Sequence, residues 1–474
     1  MARLVIVSNR VASPADRGAR AGGLAVAMRE ALDQYGGVWF GWSGDISEEA
    51  ATSPKIVEAG NVTYATVDLS QRDYQEYYVR YSNRGLWPLF HYRLGLVDYS
   101  RAAFDGYMRV NAGFADLLAP MVRPGDIIWV HDYHLIPMGA ELRRLGIRNR
   151  IGFFLHTPFP PRQLLETLPR HGVLLHALAA YDLVGFQTEE ASRDFQESVA
   201  ELTNGSVLPD GAFAVGDRKA RAGAFPIGID TERFARLAQR TARSRDSNRL
   251  KESLSGRALI IGVDRLDYSK GIPNRFEAID TLLTEYPEHR SHFSYLQIAP
   301  LSRADVAEYR ALRRELEAAV GAINGKFAEY DWTPLRYVNR TFSRLVLAGF
   351  YRLARIGLVT PLRDGMNLVA KEFVAAQDPK NPGVLILSRF AGAAHELKAA
   401  IQVNPYDVDD VATAIHRGLG MALDERLMRW KHMMEVIGRN TVTTWRESFL
   451  AALHDSIDDP LGETSAADRV GRLN

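Results

Sequence analysis

The residues able to do chemistry sit where apolar runs stop. Leu4 to Ser8 ends in Asn9-Arg10, and Asp126-Ile-Ile-Trp-Val ends in His131-Asp132-Tyr133-His134. The run Arg150 to Leu155 ends in His156. Ala258 to Val263 runs into Asp264-Arg265-Leu-Asp-Tyr-Ser-Lys270-Gly271. Ile356 to Val359 breaks at Pro361, turns through Arg363-Asp364-Gly365, and resumes with helical spacing from about Asn367, with Glu372 just inside the helix. Polar residues at strand ends are where α/β proteins contact ligands. Arg265 as a bidentate fork and Lys270 as a point charge suit a pyrophosphate, and so do the unpaired N–H groups at a helix start. Glu372 can accept from a ribose diol. Trp42, Tyr78 and Trp87 lie in aromatic-rich stretches that can stack on a sugar, although most aromatics are simply core. Gly22-Gly23 before a helix permits close backbone approach, and taken alone it also fits an ordinary turn.

These positions need two domains to carry them, since 474 residues exceed one ordinary core. A net charge of +1 gives no field for nucleic acid or an acidic membrane, and no apolar run approaches a membrane span. The chain has no cysteine, which excludes disulfides, zinc–thiolate sites and cysteine nucleophiles. No strand end carries H-x-x-x-H or D-x-D spacing, so no metal is expected there. Short apolar runs separated by helix-length segments predict two parallel, doubly wound sheets. Residues 233 to 249, rich in Arg and Ser, are read as a solvated, aperiodic boundary, with a charged surface helix as the alternative. The polar tail from Asp458 is expected to be disordered. The absence of G-x-G-x-x-G after any strand disfavours a dinucleotide oxidoreductase.

Ser8-Asn9-Arg10, Gly22-Gly23, His131 to His134, Arg265 to Gly271 and Thr360 to Glu372, in this order and spacing, resemble the trehalose-6-phosphate synthases. These are retaining glycosyltransferases of the GT-B fold, and the resemblance runs from about residue 2 to about residue 455. It implies an α/β chain of two Rossmann-like domains facing a cleft. Residues 1–232 would be the acceptor half and 233–457 the donor half, with the last helix returning to the first domain and 458–474 as a tail. It implies transfer of glucose from UDP-glucose to glucose 6-phosphate, with no metal and no cofactor. Donor contacts would be Gly22, Gly23, Arg265, Lys270, Phe342, Asn367, Leu368, Val369, Ala370, Lys371 and Glu372. Acceptor contacts would be Arg10, Tyr78, Asp132 and Arg303, with Trp42 and Trp87 shaping the pocket. His156 and Asp364 would hold donor hydroxyls and complete the catalytic set with Arg265 and Lys270. The resemblance further implies a single-function, cytoplasmic homo-oligomer, dimer or tetramer, with no nucleic-acid or membrane partner. Another phosphorylated acceptor (glycerol 3-phosphate, for example) or an ADP- or GDP-glucose donor would use the same phosphate clamp. A silent homologue that only binds sugar phosphate is the third reading, and intact Arg265, Lys270 and Asp364 argue against it.

Overall fold

The computed structural model describes residues 3–12, 23–208, 211–302 and 306–456. Gly22, Arg303 and the tail from Asp458 lie outside them.

Two sheets organise the chain. The first runs β3-β4-β2-β1-β5-β6-β7-β10-β9-β8. Its strands are β1 (Leu4–Arg10), β2 (Gly37–Ser47), β3 (Lys55–Ala59), β4 (Val62–Ser70), β5 (Ile127–His131), β6 (Arg150–Phe154), β7 (Leu183–Phe186), β8 (Ser206–Val207), β9 (Ala212–Val215) and β10 (Arg218–Ala224). From β4 to β10 the pairing is parallel, and the edges close with the antiparallel strands β3, β9 and β8. The second sheet runs β13-β12-β11-β14-β15-β16 and is parallel throughout. It holds β11 (Ala258–Val263), β12 (Phe293–Ile298), β13 (Leu335–Val338), β14 (Ile356–Val359), β15 (Val384–Ser388) and β16 (Ile401–Val403).

The central strands are buried on both faces, so they read as continuous apolar runs. Register aligns their ends. Ser8 pairs with His131, and His131 pairs with Phe154, so the polar residues that follow β1, β5 and β6 emerge at one edge. In the second sheet Val263 pairs with Ile298, and Ile298 with Val338, which gathers the loops after β11, β12 and β13.

The segment read as an aperiodic boundary is helical. It forms the helices Thr231–Thr241 and Arg245–Leu254, as in the alternative reading. Thr231, Phe234, Ala238 and Thr241 are buried on one face, while Glu232, Arg233, Arg236 and Arg240 face solvent. Asp230 caps the first helix through the Arg233 N–H, and Ser244 caps the second through the Ser247 N–H. The many charges hid a narrow apolar stripe.

The helix Val442–Asp455 lies across β6 and β7 of the first sheet. Phe449 stacks on Trp129 with ring centroids 4.8 Å apart and planes 11° apart. Cβ atoms added at Gly152 and Gly185 would come within 2.8 Å and 2.7 Å of the Phe449 ring, so these strands are bare where it sits. Among the described residues no helix is long and apolar enough to cross a membrane. Truncating fully buried Phe449 to Ala should destabilise the protein by about 3–5 kcal/mol, seen as a lower denaturant midpoint.

Candidate active site

The second sheet's wall is built around a guanidinium that the sequence does not advertise. Arg275, in the helix Ile272–Glu285, is fully buried. Its Nε donates to Thr360 Oγ1 at 2.9 Å, and its Nη2 donates to the Lys270 carbonyl at 2.8 Å. Its Nη1 reaches Gln297 Oε1 at 3.1 Å and forms an ion pair with Asp264. One side chain thereby ties together the end of β11, strand β12, the 264–271 loop and the end of β14.

That tie sets the reactive pair. Lys270 Nζ donates to Asp364 Oδ2 at 2.6 Å, and Asn367 Nδ2 donates to the same oxygen at 3.0 Å. Burial pushes the Asp364 carboxyl up, but Lys270, His91 and Asn367 outweigh it and hold the carboxyl below its usual range. Asp364 is thus a carboxylate that accepts hydrogen bonds and is poorly suited to act as a base. Asn367 takes a left-handed conformation (φ 78°) and caps the helix Leu368–Ala376 through the Ala370 N–H at 3.2 Å. The first-turn N–H groups of Leu368 and Val369 have no intrahelical acceptor and stand beside the pair.

Two predicted contacts in this helix have side chains engaged within the protein. Lys371 is fully buried, donates to the Ile227 carbonyl at 2.8 Å and pairs with Glu396, so only its backbone faces the turn. Glu372 Oε1 accepts from Arg344 Nε at 3.1 Å. Burial raises the Glu372 carboxyl and Arg344 opposes that rise. Phe342 stands before the helix Arg344–Leu353, beneath the Arg340 guanidinium at 4.5 Å.

On the first sheet's wall, Asp132 directly follows β5 with φ 75° and ψ 164°, a region almost reserved for glycine. Strain of this kind concentrates at functional sites, and it was invisible in the sequence. Asp132 Oδ1 accepts from the His156 N–H at 3.3 Å. His156 Nε2 meets His131 Nδ1 at 3.1 Å, and His156 Nδ1 meets Gln187 Nε2 at 3.3 Å. Burial lowers the His156 pKa to about 3. Burial, helped by His156, holds His131 well below the usual range. His156 is therefore a neutral hydrogen-bonding group at neutral pH.

The aromatic residues cluster as their spacing suggested. Tyr78 lies in an unusually long π-helical stretch, Tyr74–Leu86, whose wider turn is rare and is found mostly at functional sites. It stacks on His134 at 5.9 Å and lies 5.1 Å from Trp42. Arg10 extends over Trp42 at 6.0 Å and fills the space over Gly44, where a Cβ would come within 2.5 Å of its Nη2.

The walls meet. Trp87 Nε1 donates to Asp267 Oδ1 at 3.4 Å, with Arg265 over the same ring at 5.7 Å. Arg363 crosses to Tyr92, 3.7 Å from the ring centroid. A Cβ on Gly365 would lie 2.0 Å from the His156 carbonyl, so the turn fits against the strand end only as glycine. Arg265, Lys270, Asp364, Asn367 and His156 thus share one cleft with Trp87. Arg10, Tyr78 and Trp42 form a separate group on the first wall. Gly23 opens the helix Gly23–Tyr35. Sequence reading missed Arg275, Asp267, Arg344 and Gln187. It also missed the hydroxyls of Thr157 and Ser269, which are buried at these loops without a protein partner.

Two parallel-sheet Rossmann-like domains with ligand-facing strand ends on both sides of a cleft define a glycosyltransferase of the GT-B class. The family model for glycosyltransferase family 20 matches residues 4–455, and the chain belongs to that family. It is 50% identical over 453 residues to the trehalose-6-phosphate synthase of Cronobacter sakazakii, covering 96% of this chain and 95% of the relative. The Burkholderia xenovorans alpha,alpha-trehalose-phosphate synthase (UDP-forming), in complex with glucose-6-phosphate, superposes with a TM-score of 0.92. It is 50% identical, with 95% of this chain and 100% of that chain covered. A similar E. coli structure, bound with UDP-2-fluoro glucose, gives a TM-score of 0.91 at 48% identity, covering 96% and 99% of the two chains.

Two outcomes follow from the site's buried charges. Arg275→Met should cost about 3–5 kcal/mol because Asp264 is left buried and unpaired, and adding Asp264→Asn should recover part of it, read from denaturation midpoints. The folded state holds His91 (pKa about 4), His131 and His156 neutral, whereas the unfolded chain protonates them near 6.5. The unfolded state therefore binds more protons below that pH, so stability should fall as pH drops from 6.5 toward 4. His156→Gln should flatten that fall in a pH series of midpoints.

Proposed function

We propose that this chain is a UDP-forming trehalose-6-phosphate synthase, which transfers glucose from UDP-glucose to glucose 6-phosphate with retention of configuration. The observation that carries the reading is the Lys270–Asp364 pair beside the Asn367-capped helix, across the cleft from His156. The names and bound sugars of the relatives support the choice of substrates.

In this reading the donor pyrophosphate rests on Lys270, Arg265 and the N–H groups of Leu368 and Val369. Glu372, held by Arg344, accepts from the ribose, and Phe342 borders the base. Asp364 and the neutral His156 hold glucose hydroxyls. Lys371 contributes its backbone alone. Arg10 and Arg303 take the acceptor phosphate, with Asp132, Tyr78, Trp42 and Trp87 around the acceptor sugar. Gly22 and Gly23 allow the donor close to the backbone. The acceptor half spans 1–232 and the donor half 233–457.

Among the described carboxylates of the site, Asp364 is engaged by Lys270 and Asn367, Glu372 by Arg344, and Asp132 by the His156 N–H. A front-face transfer fits this arrangement. The bond from the donor C1 to the UDP oxygen breaks, the acceptor hydroxyl oxygen bonds to C1 on the same face, and its proton passes to the departing phosphate. The chain's work is positioning, together with stabilising the charge that grows on the leaving group. Lys270 and Arg265 carry that stabilisation without a metal or cofactor. We further place the enzyme in the cytoplasm as a homo-oligomer; the lack of cysteine fits a reducing compartment.

A UDP-release assay tests the reading. UDP should form with UDP-glucose plus glucose 6-phosphate and much less with glycerol 3-phosphate as acceptor, and ADP or GDP should be released far more slowly when ADP- or GDP-glucose replaces the donor. Lys270→Ala should lower kcat/KM by roughly 100-fold or more, equivalent to about 2.7 kcal/mol. No UDP with any pair, or near-normal turnover in Lys270→Ala, would overturn it.

A further inference from the structure

At the amino ends of the second sheet's strands, away from the cleft, the fold brings together three ligand-type side chains that no short motif connects. Glu288 and His289 lie in the turn Pro287–His289 ahead of β12, and His416 lies near the end of the helix Val408–Gly420. His289 Nε2 and His416 Nδ1 are 2.9 Å apart. Glu288 Oε1 lies 3.8 Å from the same His416 nitrogen. One ligand atom from each residue falls within 4.8 Å of the others. The His416 ring is braced by Tyr286, stacked at 4.1 Å and 19°. The site stands about 20 Å from the cleft, counting the six residues of β12 at roughly 3.3 Å each.

We propose that Glu288, His289 and His416 form a binding site for one divalent transition-metal ion, with zinc as the fitting probe. Two imidazole nitrogens on a tetrahedral zinc at about 2.0–2.1 Å are separated by about 3.3 Å, so the rings need part by only a few tenths of an ångström. The carboxylate supplies a third donor and a partial charge balance. Two nitrogen donors select a borderline ion over magnesium or calcium, which take oxygen shells. The bound ion would clip the turn before β12 to the helix that follows β16, joining segments 127 residues apart. A ligand set assembled from two separated elements cannot be seen as a sequence motif.

The test uses the full chain, stripped with chelator and titrated with zinc alone. One equivalent should bind by calorimetry and raise the Tm, and neither magnesium nor calcium should do so. His416→Ala should weaken that binding by more than about 100-fold and abolish the Tm rise, and Glu288→Gln should weaken it by roughly 10-fold. His289→Ala is a second ligand deletion should His416→Ala fold poorly. Equal zinc affinity in the wild type and the ligand variants, or no zinc-dependent Tm rise in the wild type, would overturn the proposal.

Discussion

A single buried guanidinium holds the second sheet's wall of the cleft together. Isolated, Arg275 would be prohibitively costly to bury, and it is tolerated because charged and neutral acceptors surround it. Its planar fork explains why arginine and not lysine stands there. One rigid group bonds outward along separate directions to Asp264, Gln297, the Lys270 carbonyl and Thr360, whereas an ammonium would offer a point charge on a flexible stem. Because two of those partners flank the reactive residues, the Lys270–Asp364 distance is set from behind. The cleft can thus present a cation and a carboxylate at 2.6 Å without relying on exposed loops to hold them.

The electrostatics of the cleft decide which roles its residues can play. A base needs a carboxylate with a raised affinity for protons, and the balance at Asp364 goes the other way. Desolvation holds half-buried His156 well below its usual range, so it too is a hydrogen-bonding group. With acid–base work removed from the obvious candidates, the proposed mechanism rests on the cations. Stabilising charge on a departing phosphate is the work cations do best, and it is worth most where water is excluded.

Much of this was legible in the residues. The strand ends after β5, β6, β11 and β14 could be found because an apolar run followed by His, Asp, Arg or Lys has few explanations. The helix after Gly365 could be found because Asn367 is a good cap before an apolar pattern. Arg275 could not, since an arginine in an amphipathic helix looks like solvent-facing charge until its neighbours are known. The helix Thr231–Thr241 was obscured for the opposite reason, with four buried positions hidden among nearly as many arginines. Strands β3 and β8 to β10 were missed because they lie at or next to the sheet's edges, are partly exposed and carry no continuous apolar run. Side-chain direction was the least legible property. Lys371 and Glu372 are adjacent in sequence, yet one runs back to Ile227 and the other meets Arg344.

The two halves are joined unequally on their two sides. Behind the cleft, the helix Val442–Asp455 seats Phe449 and Leu453 fully buried against the first sheet. Exposing those two side chains would cost about 1.5–3 kcal/mol each in transfer free energy, before any cavity is counted. In front, the halves touch through Arg84–Glu308 at 3.0 Å, Trp87–Asp267 at 3.4 Å and Arg363 on Tyr92. Of these the Trp87–Asp267 bond is buried, whereas the Arg84–Glu308 ion pair is part-exposed, and exposed ion pairs are worth about 0–1 kcal/mol. The apolar burial of the rear helix joins the halves on one side, while the buried Trp87–Asp267 bond and the close approach of Gly365 to His156 join them at the cleft.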